Sequence, residues 1–206
     1  MLRHVTDDEI AQRVRVLRGE IDLQNQMRPD MMTVIERLTT SFRHFAYQQV
    51  PDSEMPHAEA QWDARKGLLR IRESVVGAMQ RGEPRARMTI ANEIGHFAMQ
   101  HSGARSRSAT QATTGRLLLE AKKEESEARR FAAMFLAPSD LLSAIDTVEE
   151  IADRFGLSVE AAMIRKGEFD AFQRRASGQR RELPSAAVNY LKDAQRRGVK
   201  LRTDLD

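Results

Sequence analysis

The chain of 206 residues contains no cysteine, so disulfides and thiolate metal sites are excluded. Any metal must be held by His, Asp or Glu, the ligand set of catalytic sites rather than of zinc fingers. Histidines are few as well: His4, His44, His57, His96 and His101 are the whole supply of imidazole. Aromatic residues make up 5% of the chain, with a single tryptophan. Charge of one sign is also lacking, because 33 Lys and Arg face 30 Asp and Glu for a net charge of +3. That balance describes a charge-mixed protein rather than a polycation, and it does not by itself specify nucleic acid as a partner. No apolar run approaches the roughly 18 residues that a membrane span requires. The opening MLRHVTDDEI has no apolar core of a signal peptide, which predicts a cytoplasmic protein.

What is present is mostly helical pattern. Thr6 to Glu9 has the spacing of a capping box, and Ile10, Val14 and Leu17 follow on one helical face. The pattern breaks near residues 19–25. Pro29 and Asp30 open a second helix with Met31, Ile35, Leu38 and Phe42 at the same spacing. Segments 45–50 (FAYQQV), 58–64 (AEAQWDA) and 67–74 (GLLRIRES) are short, relatively rich in aromatic and β-branched residues, and bounded by turn formers. They predict a small antiparallel sheet. From Pro84 a helix carries Ile90, Ile94, Phe97 and His101 near one side, and residues 102–115 read as a surface loop. LLLEA (117–121) is too short to divide between strand and helix start.

Helical pattern returns before Pro138. Thr147 to Glu150 is a second capping box, opening a helix, a turn at Gly156 and another helix. The tail from Gln173 is basic, and a last amphipathic helix follows Pro184. The expected class is a mostly helical α+β domain with one small sheet.

Chemistry concentrates in Ala91 to Phe97, ANEIGHF. In the zinc peptidase pattern HExxH, two histidines one helical turn apart reach one metal, and the intervening glutamate activates its water. Glu93 and His96 hold two of these places, while Asn92 stands in the first, giving NExxH. Taken alone, these residues read first as an ordinary helix with a partly exposed histidine.

The longer string RARMTIANEIGHFAMQH resembles the signature RxRFTIAHELGHxLLH of the ImmA/IrrE family of metallopeptidase-like proteins. A second signature of that family, ExxANxFAxxLLxP, is similar to ESEARRFAAMFLAP at 125–138, and FGLSVEAAMIR at 155–165 resembles a following helical stretch. The resemblance runs over roughly residues 30–170. It implies a zincin-like metallopeptidase domain over 29–138, preceded by a helical extension (1–28) and followed by a helical segment (139–172) and a basic tail with a last helix (173–206).

The resemblance also implies roles. His96 matches the second zinc histidine, Glu125 the carboxylate ligand and Glu93 the general base, while Asn92 replaces the first ligand and Arg129 a residue usually Asn or Asp. Zn²⁺ is the implied cofactor, weakened or lost through Asn92. On a straight helix His101 lies roughly 180° from Asn92 and faces away, leaving His57 as the replacement ligand to consider. Arg129, four residues after Glu125, is placed either to bridge Glu93 and Glu125 in the electrostatic role of zinc or to point into solvent.

The implied function is a catalytically impaired pseudopeptidase that binds a partner such as an XRE-type helix-turn-helix repressor in a stress or mobile-element response. An active zinc endopeptidase cleaving such a repressor is the alternative. A DNA-binding regulator is the second, suggested by the helix-turn-helix outline of 147–165. Its second helix, with Val159, Glu160, Ala161, Ala162 and Met163, offers few base-reading side chains, so the expected partner is protein rather than nucleic acid.

Overall fold

The computed structural model describes residues 5–101, 114–178 and 185–199, with side chains in the second stretch described from residue 118 onward. The expected loop at 102–115 therefore falls largely outside the described residues. Chain contacts divide the molecule into two units, 1–169 and 170–206.

The first unit begins with helix α1 (Asp7–Glu20), opened by the Thr6 capping box with Glu9, and α2 (Met31–Ser41), capped by Asp30, whose side chain accepts from Thr33 N. Strands β1 (Ala46–Val50), β2 (Ala60–Asp63) and β3 (Leu68–Arg72) form one sheet in the order β1-β3-β2. Helix α3 (Glu73–Gln80) follows β3 directly. The long helices α4 (Pro84–Ala98) and α5 (Thr114–Leu136) come next, then α6 (Val148–Phe155) and α7 (Val159–Ala176). LLLEA lies inside α5.

The class is as expected, mostly helical α+β with a small sheet, but the sheet is mixed rather than antiparallel. β2 and β3 form the antiparallel hairpin, with Trp62 opposite Leu69, whereas β1 runs parallel to β3, with Tyr47 opposite Leu69. The intervening 3-10 turn and β2 carry the chain across, so β3 enters between its two predecessors. Ala60, Trp62, Leu69 and Ile71 turn inward and bury against Ile35, Ile90, Ile94 and Phe131 in one apolar core. No helix among the described residues is long and apolar enough to cross a membrane.

Helices α4 and α5 approach unusually closely at Gly95, where an added Cβ would lie 2.9 Å from the Ala128 carbonyl oxygen. This contact sets the faces bearing Asn92 and His96 against the face bearing Glu125. Two buried arginines hold the far end of α5. Arg18 donates to Phe135 O at 2.7 Å, and Arg165 donates to Ala137 O at 2.8 Å and to Ser139 Oγ at 2.7 Å. They satisfy last-turn carbonyls that a helix leaves without partners. Burial brings Arg18 down to about 10 and lowers Arg165 as well.

Within the second unit the end of α7 runs to Ala176, and α8 (Ser185–Arg196) follows, buried at Ala194 and exposing Tyr190.

Candidate functional site

The cleft is built from three elements. α4 supplies Asn92, Glu93 and His96, α5 supplies Glu125, Glu127 and Arg129, and β2 is the sheet edge that faces them. Glu93 is buried, and its carboxylate accepts a hydrogen bond from the Trp62 amide at 2.8 Å. His96 Nε2 lies 3.6 Å from Glu125 Oε2, and Arg129 Nε donates to Glu125 Oε1 at 2.9 Å. The side chain of Arg129 is 74% exposed. Between the two readings of Arg129, the geometry is a surface guanidinium paired with one carboxylate. Asn92 is partly buried, and its Oδ1 is enclosed without a hydrogen bond to any described residue.

His101 does not face away. α4 stops at Ala98, and Gln100 adopts a left-handed conformation with φ 56°. His101 N then donates to His96 O at 3.0 Å and Gln100 N to Phe97 O at 3.0 Å, a Schellman closure on a residue other than glycine. The chain reverses and brings His101 under the helix. Its Nδ1 lies 3.0 Å from His96 Nδ1 and its Nε2 lies 3.2 Å from Glu127 Oε2. The extrapolation at 100° per residue fails because the helix is no longer there.

His101 is buried, and burial, followed by the neighbouring His96, lowers its pKa. A neutral His101 that donates from Nε2 to Glu127 accepts at Nδ1 from His96. His96 Nε2 is then left facing Glu125, with the ring oriented by the hydrogen bond at its other nitrogen, as outer partners orient metal-ligating histidines. His101, Glu127 and the Trp62 amide are the parts of this constellation that spacing did not reveal. The signal for His101 was the closing histidine of RARMTIANEIGHFAMQH; nothing in the spacing marked Glu127 or Trp62.

Two cavities meet at Glu93. One of about 530 Å³ is lined by His57, Trp62, Arg70, Glu93, His96 and His101, so His57 does reach the same space as His96. The other, about 600 Å³, has apolar walls from Met88, Leu157, Ala161 and Ile164 and opens on Asn92 and Glu125.

Zinc requires three protein donors drawn from His, Cys or carboxylate in addition to an open position. His96 and Glu125 converge, but the place that the resemblance gives to a further ligand holds Asn92, whose amide oxygen is enclosed without a hydrogen bond to any described residue. Among the described residues no three His, Asp or Glu side chains are grouped to hold a metal. Among the described residues this donor set falls one short of a zinc site.

Residues 64–165 match the family of the IrrE N-terminal-like domain. Over these residues the chain belongs to the ImmA/IrrE family. The IrrE-like domain thus contains α4, α5 and all of α6, together with Asn92, Glu93, His96, Glu125 and Arg129. Its architecture is zincin-like, as the resemblance implied. The fold is shared with a solved structure described as a Mycobacterium tuberculosis transcriptional regulator, at a TM-score of 0.52 and 14% identity. That likeness covers 79% of this chain and 46% of the other, so this chain spans about half the length of its structural neighbour. A comparison with the curated proteins gives no match.

Proposed function

We propose that this IrrE-like protein is a pseudopeptidase that keeps the peptidase cleft and uses it to bind and regulate a protein partner. The partner we propose is an XRE-type helix-turn-helix repressor, in a stress or mobile-element response within the cytoplasm. The observation that carries this reading is the state of the first ligand position, where Asn92 replaces an imidazole and its enclosed oxygen has no hydrogen bond to any described residue. Three features support it. Glu93, the position of the general base, accepts from the backbone of β2. Glu125, the position of the carboxylate ligand, is engaged by Arg129. The groove on Asn92 is walled by apolar side chains suited to a polypeptide segment. The transcriptional regulator that shares the fold is in keeping with a regulatory role.

A second reading is an active zinc endopeptidase in which His57 takes the vacant place, favoured by its position on the wall of the His96 cavity. Zinc content measured on this protein and on Asn92→His separates the two. The pseudopeptidase reading expects zinc at about one per chain only in the variant. Stoichiometric zinc in the parent protein, with repressor cleavage that Glu93→Gln abolishes, would establish the enzyme instead. DNA reading by α7 is disfavoured by its exposed Val159, Met163 and Ile164.

A further inference from the structure

One glycine locks the β2–β3 turn onto the corner between α2 and β1. Gly67 has φ +62°, and a Cβ there would collide with the His44 carbonyl oxygen. Ala46 N donates to Gly67 O at 2.8 Å across the same contact. The close approach sets Arg43 and His44 of the corner beside Arg65 and Lys66 of the turn. Behind them lies an aromatic floor in which Phe45 and Trp62 stack at 5.3 Å and Phe97 meets both edge-on at 4.9 and 5.2 Å.

The result is an open cavity of about 570 Å³ lined by Arg43, His44, Arg65, Lys66, Trp62 and His101 among others, and among the described residues no Asp or Glu lines it. Arg43 and Arg65 form no ion pair with any described residue. Lys66 reaches Asp63 only at 4.0 Å, and an Asp63 oxygen instead accepts from the Arg65 and Lys66 amides. In a chain whose charges are otherwise balanced, this is a concave surface of one sign.

From these features we infer a binding site for a small phosphate-bearing ligand with a flat ring, of the size of a nucleoside diphosphate. The volume falls within the range of small-molecule sites. Two guanidinium forks and an ammonium match phosphate oxygens in charge and geometry, and a concave wall of one sign concentrates anions. Phe45 and Trp62 are buried against each other, and the half-buried Phe97 at the base of the bowl offers a planar body an aromatic contact. An extended acidic polypeptide fits less well, because the cations converge on one bowl rather than following a line. Trp62 and His101 line both this cavity and the cleft, so the ligand sits against the two residues that hold Glu93 and His96.

Trp62 is the only tryptophan, so fluorescence of the full chain reports on this site directly. Titrations with ADP, inorganic phosphate and a ten-residue glutamate peptide at fixed ionic strength make the test. The expected result is a saturable change with ADP, about tenfold tighter than inorganic phosphate, weakened at least about tenfold by the paired Arg43→Ser and Arg65→Ser changes with the melting temperature preserved. His57→Ala, on the wall of the other cavity, leaves the ADP curve in place. No saturable change with ADP, a curve unmoved by the arginine pair, a curve lost in His57→Ala, or tighter binding of the glutamate peptide would each overturn the assignment.

Discussion

Trp62 N donates to the Glu93 carboxylate at 2.8 Å, tying the edge strand of the sheet to the motif helix through the residue that a working peptidase would reserve for its water. A buried backbone amide without an acceptor costs about 1–3 kcal/mol. Glu93→Ala should therefore lower stability by about that amount, and Glu93→Gln, which keeps an acceptor oxygen, by clearly less. Urea unfolding of the two variants checks this, and equal losses would show that the hydrogen bond does not anchor β2.

The approach of α4 to α5 leaves no room at Gly95, where a Cβ would meet Ala128 O at 2.9 Å and Phe131 Cδ1 at 3.2 Å. Overpacking of this kind costs about 1–3 kcal/mol. Gly95→Ala should lower the thermal midpoint despite the higher helix propensity of alanine. A calorimetric scan showing an unchanged or raised midpoint would contradict the packing.

Gln100 closes α4 with φ 56°, a conformation that costs a side chain about 1–2 kcal/mol. Gln100→Gly relieves this and loses part of the gain to unfolded-chain entropy, leaving a net stabilisation of about 0.5–1 kcal/mol. Gln100→Val should destabilise, and its His101 amide should exchange faster with solvent. Hydrogen exchange at His101 reads the turn directly.

Glu168 is held above its ordinary value of 4.5, first by burial, with Arg165 at 3.8 Å pulling the other way. Between 4.5 and that raised value the folded chain binds more protons than the unfolded chain, so this residue makes stability fall as pH rises through the window. Below 4.5 both states are protonated and the contribution is fully favourable. Glu168→Gln should flatten this part of the curve of unfolding free energy against pH, and an unchanged slope would exclude Glu168 as its source.

The sequence was most legible where local chemistry decides the outcome. Both capping boxes, at Thr6 with Glu9 and at Thr147 with Glu150, form in full, and Gly156 makes the left-handed turn that its position between two periodic segments required. Less was visible where partners are distant. Alternation along Ala60–Asp63 and Leu68–Arg72 identifies the inward faces, but it cannot say that Leu69 pairs with Tyr47 in parallel. α3 escaped notice because Val75, Val76 and Gly77 favour other conformations, and its burial against the core overrides them. At the site, the family resemblance named Glu93, His96 and Glu125, which lie around one cleft, whereas helical spacing misplaced His101, since a glutamine gives little sign that it will take the conformation usually left to glycine.

The arginines at the end of α5 act on the cleft from a distance. Arg18 holds Phe135 O and Arg165 holds Ala137 O, while Glu125 lies about three turns back, roughly 18 Å along the axis. A helix gripped at one end transmits any axial slip undiminished along its length, because its own hydrogen bonds make it stiff. Strain introduced at either grip would reach the carboxylates through the helix itself, with the tight Gly95–Ala128 contact as the fulcrum between them. Substitutions that change binding in the cleft can accordingly be sought at the foot of α5 as well as around Asn92.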